Sequence, residues 1–203
     1  MKKYAVLHEP GDIVTLAGTR FVVLDVERRG SLPDSLFLLA LESVGASEFG
    51  SSNNYAESDL KKAVDKWLED MGKRGLDNAK LIPREIDLTT LDGSGCYGKL
   101  SVKAAPLTLD EAREYADIIP NAERWCWLAT GWSGPSKSDG DLALNVNSNG
   151  DWYSNYCSNS YGIRPALKIP SDLLLDSADK PDLSEVPTDT LLEEIRRRVV
   201  DKA

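Results

Sequence analysis

The order of extended and helical patterns along the chain constrains its fold more than any other feature. Residues 13–26 are rich in β-branched and aliphatic side chains, and they predict a hairpin with a turn at Gly18. Further strands are predicted at 36–41, 142–146 and 163–169, with the helices between them. Strands before and after a helical middle are typical of an α+β domain and not of a doubly wound sheet.

Two segments predict helices. Ser58 is a suitable N-cap residue in front of a segment whose apolar residues recur with a period near 3.6. Thr108 and Glu111 form a capping box for a shorter helix over 109–119, which Pro120 ends. The apolar face of the first helix is predicted to consist of Leu60, Val64, Trp67, Leu68 and Met71.

Charge and hydropathy argue against two broad classes of function. The chain has 33 acidic and 24 basic side chains and a net charge of −9, which argues against a nucleic-acid-binding face. No apolar run approaches the ~18 to 20 residues that cross a bilayer. His8 and Glu9 interrupt the N-terminus before a signal-peptide core can form. We therefore expect a cytoplasmic or phage-particle-associated protein without nucleic-acid or membrane partners.

Reactive side chains are few. Cys96, Cys126 and Cys157 are widely spaced and fit neither a disulfide framework nor a C-x-x-C motif, so they predict free thiols in a reducing compartment. His8 is the only histidine, which excludes two-histidine catalysis and a multi-histidine metal site. We expect His8 to be a solvated loop residue. The sequence thus predicts no catalytic residue, no cofactor and no metal site.

Composition changes near the C-terminus. Residues 171–187 are enriched in Asp, Ser and Pro, and they predict an acidic linker that follows a folded domain at 1–170. Residues 188–203 predict an amphipathic helix that starts at a capping box. A helix this short needs a partner surface. That surface is the chain's own domain, a second copy bound through 188–200, or an external partner.

An aromatic, amide-rich segment is the strongest sign of a binding surface. Four of the five tryptophans fall between Trp125 and Tyr161, and residues 145–162 contain five Asn, four Ser and three Tyr. Tyrosine supplies contact area at little entropic cost, while Asn and Ser supply adaptable hydrogen bonds. The alternative is a polar hairpin that needs turn residues. The candidate ligand-binding residues, which include the start of a loop at 132–141, are Trp132, Asn147, Asn149, Asp151, Trp152, Tyr153, Asn155, Tyr156, Asn159 and Tyr161.

Four motifs in order resemble an uncharacterised domain that is widespread in Firmicutes and their phages. They lie at 107–112, 125–130, 145–150 and 161–167, and the last is similar to that family's G-V-R-P-A-L. The similarity covers about residues 10–170. That domain in turn resembles the formylglycine-generating-enzyme branch of the C-type-lectin-like fold. The resemblance implies an α+β scaffold with short antiparallel sheets, two helices and long loops.

The resemblance does not imply catalysis. The oxidases of that branch bind copper with two cysteines five positions apart, whereas Cys126 and Cys157 are 31 positions apart. The Glu-Pro-Asn, Gln-Pro-Asp and Trp-Asn-Asp patterns of calcium-dependent lectins are absent. Two alternatives stay open. One is an oxidase whose cysteines meet in space, and the other is an assembly component that oligomerises through its C-terminal helix.

The leading hypothesis is a non-enzymatic binding or accessory protein of phage or prophage origin, with an unknown protein or small ligand as its partner. The types Asn, Ser, Tyr, Asp, Gly and Cys are those that adenine mutagenesis by a diversity-generating retroelement produces, so residues 147–161 are also a candidate variable region. Arg164 is expected to be held by a carboxylate or by carbonyls. Trp67, Trp125 and Trp127 are expected in the core.

Overall fold

The computed structural model describes residues 2–4, 8–29 and 32–177, and within them the chain forms three sheets and two helices. The predicted helix at 188–203 lies outside the described residues. The strands are β1 (Lys2–Tyr4), β2 (Ile13–Leu16), β3 (Thr19–Arg29), β4 (Leu32–Ala40), β5 (Ala46–Glu48), β6 (Arg84–Asp87), β7 (Lys99–Val102), β8 (Ala104–Ala105), β9 (Cys126–Gly131), β10 (Leu142–Val146), β11 (Trp152–Tyr156), β12 (Ser160–Gly162), β13 (Ala166–Pro170) and β14 (Leu174–Ser177). The helices are α1 (Asp59–Lys73) and α2 (Leu109–Glu114), and 3₁₀ turns cover Tyr55–Glu57 and Asn78–Lys80.

The sheets are almost entirely antiparallel. The large sheet has the order β1-β14-β2-β3-β4-β13-β8, and the second sheet has the order β11-β10-β9-β12-β5. The pairing of β12 with β9 is parallel, and β6 with β7 forms a separate two-stranded sheet. The predicted α+β class is therefore confirmed, with more strand than helix.

The first hairpin forms where the sequence predicts it. Leu16 pairs with Thr19 across a two-residue turn. Ala17 and Gly18 both have positive φ, at 47° and 76°. Two consecutive left-handed residues twist the chain in the sense that a tight antiparallel hairpin needs. Gly18 adopts this conformation without the steric cost that a side chain brings.

Both helices begin at the predicted caps. The Ser58 hydroxyl accepts a hydrogen bond from the Lys61 amide at 2.9 Å, and Thr108 and Glu111 make the reciprocal bonds of a capping box. The first helix reaches Lys73, but the second ends at Glu114 and not at the predicted residue 119. Residues 115–118 form turns instead, because Pro120 disfavours helical geometry in the residue before it and adjacent isoleucines are poor helix formers.

The core has two parts because the strands are buried on both faces. Alternate residues of β3 and β4 pack in opposite directions. Phe21 and Val23 join a cluster with the apolar face of α1, while Val22 and Leu24 join a cluster with the buried face of α2. The central strands β9 and β10 also contribute residues to both clusters. No helix within the described ranges is long and apolar enough to cross a membrane.

Two further predicted boundaries differ from the structure. The last predicted strand, 163–169, forms at Ala166–Pro170. The large sheet continues through Leu174–Ser177, whose pairing with β2 and β1 places the beginning of the predicted linker 171–187 inside the sheet. The linker-like composition of 171–187 did not prevent this strand, because the backbone of β14 completes the hydrogen-bond ladder between β1 and β2.

The prediction that His8 is a solvated loop residue is wrong, because only 4% of its surface is exposed. Its Nδ1 lies 3.2 Å from Asp12 Oδ2, within the turn that leads into β2. The turn that leads into β2 buries His8, and for this reason its side chain is not solvated as predicted.

Candidate functional site

The predicted binding segment is built on the β10–β11 hairpin. Val146 pairs with Trp152, and Gly150 has a φ of +90° in the connecting turn. The Asn147 Oδ1 accepts hydrogen bonds from the backbone amides of Asn149 and Asp151 at 2.8 and 2.9 Å. Its Nδ2 donates to Asp151 Oδ2 at 3.1 Å. The side chain of Asn147 is therefore buried and occupied in shaping the turn, which favours a structural role, while its contact with a ligand stays a prediction.

The predicted residues of β11 do not share one face. Successive side chains on a strand point to opposite sides of its sheet. Trp152 lies opposite Val146 on the side of α2, where the Arg113 guanidinium carbon is 5.4 Å from the centre of its ring. Tyr156 follows Trp152 at an even spacing and shares that side, whereas Tyr153 lies on the other. The two faces of the hairpin are thus two separate candidate surfaces.

An aromatic cluster, defined here as Trp125, Tyr153 and Tyr161, covers the second face. The ring centre of Trp125 is 5.0 Å from that of Tyr153 and 5.7 Å from that of Tyr161. Tyr161 also packs against Trp127 at 4.8 Å. Ring pairs at these separations stabilise each other beyond their burial alone. The cluster holds Tyr153 in place while leaving 46% of its surface exposed.

The predicted core tryptophans have different environments. Trp127 is 1% exposed and its Nε1 donates to the Ser47 carbonyl at 2.9 Å, which confirms the prediction. Trp67 and Trp125 are only partly buried. Each packs with one side against the protein, Trp67 on Phe21 and Trp125 on Tyr153.

The remaining predicted site residues are scattered. Asn155 donates to Asn145 Oδ1 at 3.3 Å, and Asn159 donates to the Tyr161 hydroxyl at 3.4 Å. Asn149 and Asp151 are exposed in the hairpin turn. Trp132 is partly buried against the α2 cluster, on the same side as Trp152. The structure therefore brings Tyr153 and Tyr161 together and separates them from Trp132, Trp152 and Tyr156.

Asn53 organises the loop after β9, and the sequence did not point to it. It is 1% exposed. Its Nδ2 donates to the carbonyls of Ser133 and Leu142 at 2.9 Å each, and its Oδ1 accepts from the Tyr97 hydroxyl at 2.7 Å. These bonds join both ends of the predicted loop 132–141 to a distant turn. A single Asn in a loop carries no pattern, so only the contacts across 80 or more residues reveal this role.

Arg164 makes the contacts expected of a structural residue. Its Nε donates to the Ala40 carbonyl at 3.0 Å, and its Nη1 donates to the Pro120 carbonyl at 3.1 Å. Of the two predicted kinds of partner, the structure shows carbonyls. Arg164 thereby joins the end of β4 to the segment that follows α2.

The cysteines are all free thiols. Cys96 is exposed, whereas Cys126 and Cys157 are buried. Burial raises the pKa of Cys126 to about 11 and that of Cys157 to about 12, so both are protonated near neutral pH. Among the described residues, no group of three or more His, Cys, Asp or Glu side chains is arranged to hold a metal ion.

Comparisons with known proteins do not place the chain in a family. No protein-family model matches it, and searches of curated proteins and of solved structures found no significant match.

Proposed function

We propose that this protein is a non-enzymatic binding or accessory protein that recognises a partner protein through strand β11. The observation that carries the proposal is the exposure of three neighbouring aromatic side chains on a strand at the edge of the second sheet. Trp152 is 42% exposed, Tyr153 46% and Tyr156 61%. Leu91, at 38%, is the other large apolar side chain of the described chain that is exposed to this degree.

The chemistry of this strand suits recognition of a protein. Tryptophan and tyrosine are the residue types that most often dominate binding energy at protein interfaces. An edge strand also offers backbone groups to an extended segment of a partner, which then adds to the sheet. β11 pairs only with β10 within its sheet. A partner strand on its open side would contact Trp152 and Tyr156 on one face and Tyr153 on the other.

The finer fold assignment is part of this proposal. Four motifs in order support a C-type-lectin-like domain of the formylglycine-generating-enzyme branch, of phage or prophage origin. The two buried thiols, Cys126 and Cys157, are not activated as free nucleophiles, because it is the thiolate that attacks. Burial raises the pKa of each well above neutrality.

The experiment uses Tyr153→Ala and Tyr156→Ala in a pull-down from a host lysate, with each captured partner identified by mass spectrometry. Both variants are expected to weaken capture at least ~10-fold if each tyrosine supplies more than about 1.4 kcal/mol of binding energy. Leu91→Ala is the matched control, because it removes an exposed apolar side chain of similar exposure outside β11.

The two variants also separate modes of binding. A strand that adds to the edge of the sheet contacts both faces, so both variants lose capture. A partner that covers one face requires only one tyrosine. Capture that is unchanged in both variants would show that β11 is not the binding surface. Tyr156→Ala should have a melting temperature close to that of the parent protein, because the side chain of Tyr156 is mostly exposed. A loss of capture in this variant then reports a lost contact and not unfolding.

A further inference from the structure

A cavity lies between the β10–β11 hairpin and the segment that follows α2, on the opposite face of the hairpin from the aromatic cluster. Its volume is about 150 Å³. Strands β4, β9 and β10 and the segment 116–122 form most of the wall. The apolar side chains of the wall include Leu39, Leu107, Ala112, Ile119, Leu128 and Val146.

One charged side chain, Arg164, lines this apolar cavity. It is 7% exposed, and its Nε and Nη1 donate to backbone carbonyls. Its third nitrogen, Nη2, is buried and has no hydrogen-bond partner in the described part of the chain. A buried donor without a partner costs on the order of 1–3 kcal/mol, and more when it is charged.

The charge of Arg164 is also without a close counter-ion among the described residues. Its hydrogen bonds go to neutral carbonyls, and no Asp or Glu of the described ranges lines the cavity. Glu42 is the acidic side chain that acts on it, and Glu42 is itself paired with Arg20. Burial lowers the pKa of the guanidinium from its usual value, but arginine remains protonated in proteins. The lining thiol of Cys126 is neutral near pH 7 because burial raises its pKa to about 11.

We propose that this cavity binds a small organic carboxylate with an apolar body. The carboxylate lies against the Arg164 side chain that lines the cavity and neutralises the guanidinium, while the apolar body contacts the leucine and alanine side chains of the wall. A cavity of about 150 Å³ has the size of one that accepts benzene. The ligand class is therefore a monocarboxylate with a single ring or a short branched chain, of which benzoate is a suitable probe.

Residues at the rim of the cavity form an opening through which a ligand can enter, and they include a tryptophan whose fluorescence can report binding. Ala116 is exposed and lines the cavity, so it lies at the opening. Trp152 and Gly150 of the hairpin line it as well. A Cβ on Gly150 would lie 2.8 Å from Asn121 Oδ1, which shows how closely the turn approaches the opposite wall. A ligand that enters here changes the surroundings of Trp152 and thus its fluorescence.

The test is a titration of the full chain with benzoate, followed by calorimetry and by tryptophan fluorescence. We expect saturable binding of one benzoate per chain. Benzamide has the same ring and a neutral head group, and we expect it to bind at least ~10-fold more weakly, a difference of about 1.4 kcal/mol. The absence of saturable benzoate binding, or equal binding of benzamide, would overturn the proposal.

Two variants locate the site. Ala116→Phe places a ring at the exposed rim, where it fills the opening without disturbing the core, and it is expected to abolish benzoate binding. Arg164→Lys is expected to weaken binding while keeping the charge, but it also removes contacts with two carbonyls, so its folding must be checked by circular dichroism. Undiminished binding in a folded Ala116→Phe would exclude this cavity.

The control variant is Tyr156→Ala, which alters the β11 surface and does not line the cavity. It should bind benzoate as the parent protein does. Loss of partner capture with retained benzoate binding, or the reverse in Ala116→Phe, shows that the two sites are separate. The proposed carboxylate site therefore stands or falls independently of the proposed protein-binding strand.

Discussion

Replacing Asn147 with alanine distinguishes a residue that shapes the hairpin from one that contacts a ligand. The side chain makes three hydrogen bonds within the turn, two through Oδ1 and one through Nδ2. A hydrogen bond contributes about 1 kcal/mol net, and exposed donors recover part of this from water, so the expected loss of stability is about 2 kcal/mol. For a chain of this length that corresponds to a fall in melting temperature of about 4–8 °C.

The assay is urea unfolding followed by circular dichroism and by tryptophan fluorescence, with Asn149→Ala as the matched control. Asn149 is exposed in the same turn, and its backbone amide makes the bond to Asn147. The control should change stability by less than about 0.5 kcal/mol. Unchanged stability in Asn147→Ala, together with loss of partner capture, would refute the structural role and restore the binding role.

Asn147→Asp adds a test that depends on pH. The aspartate retains an acceptor for both backbone amides, but it places a second carboxylate beside Asp151, whose Oδ2 lies 3.1 Å from Nδ2 in the parent protein. Like charges at this distance destabilise the folded state. The variant should therefore be least stable near neutral pH relative to the parent. The deficit should shrink in acid, where the introduced aspartate becomes protonated and the repulsion is lost. A deficit that is constant across pH would contradict this geometry.

Two further predictions concern the loop after β9 and its neighbourhood. Gly131→Ala should lower stability by about 1–3 kcal/mol in urea unfolding, because its Cβ would lie 2.8 Å from Asn53 Cγ. Gly95→Ala, with nothing within 4 Å, is the control, and equal stability of the two would contradict the prediction. A hydrogen bond from Lys137 is the main cause that lowers the pKa of Asp92 to about 2. Since the pKa is lower in the folded state, Asp92 stabilises the fold above its unfolded pKa of about 4, and this contribution is lost as pH falls towards 2. An NMR titration of the carboxyl checks this, and a pKa near 4 would contradict it.

Local features of the fold were predictable because their signals are local. The cap at Ser58 and the capping box at Thr108 depend on residues three positions apart, and the turn at Gly18 depends on two residues. The sequence therefore predicted where the helices begin. It predicted the end of α2 poorly, because Pro120 acts through the geometry of the residue before it and tertiary packing decides how the turns at 115–118 continue.

The candidate site was harder to predict, because residues that are neighbours in the sequence need not lie on the same face of the sheet. Trp152 and Tyr153 are adjacent in sequence, yet strand alternation sends them to opposite faces. Composition showed that the segment is rich in aromatic and amide side chains, but it could not assign each to a face before the register of β10 with β11 was known. Asn147 shows the same limit, since Asn is favoured both in binding loops and in tight turns.

Arg164 shows why the cavity could not be found from the sequence. Its carbonyl partners, Ala40 and Pro120, lie 124 and 44 residues away along the chain. A carboxylate in either place would have neutralised the guanidinium and left the cavity a simple apolar void. Carbonyls satisfy two of its donors and, within the described part of the chain, no carboxylate neutralises it, so Arg164 also gives the cavity its proposed preference for an anion. The preference arises because Arg164 has no carboxylate partner among the described residues, and no sequence motif predicts such an arrangement.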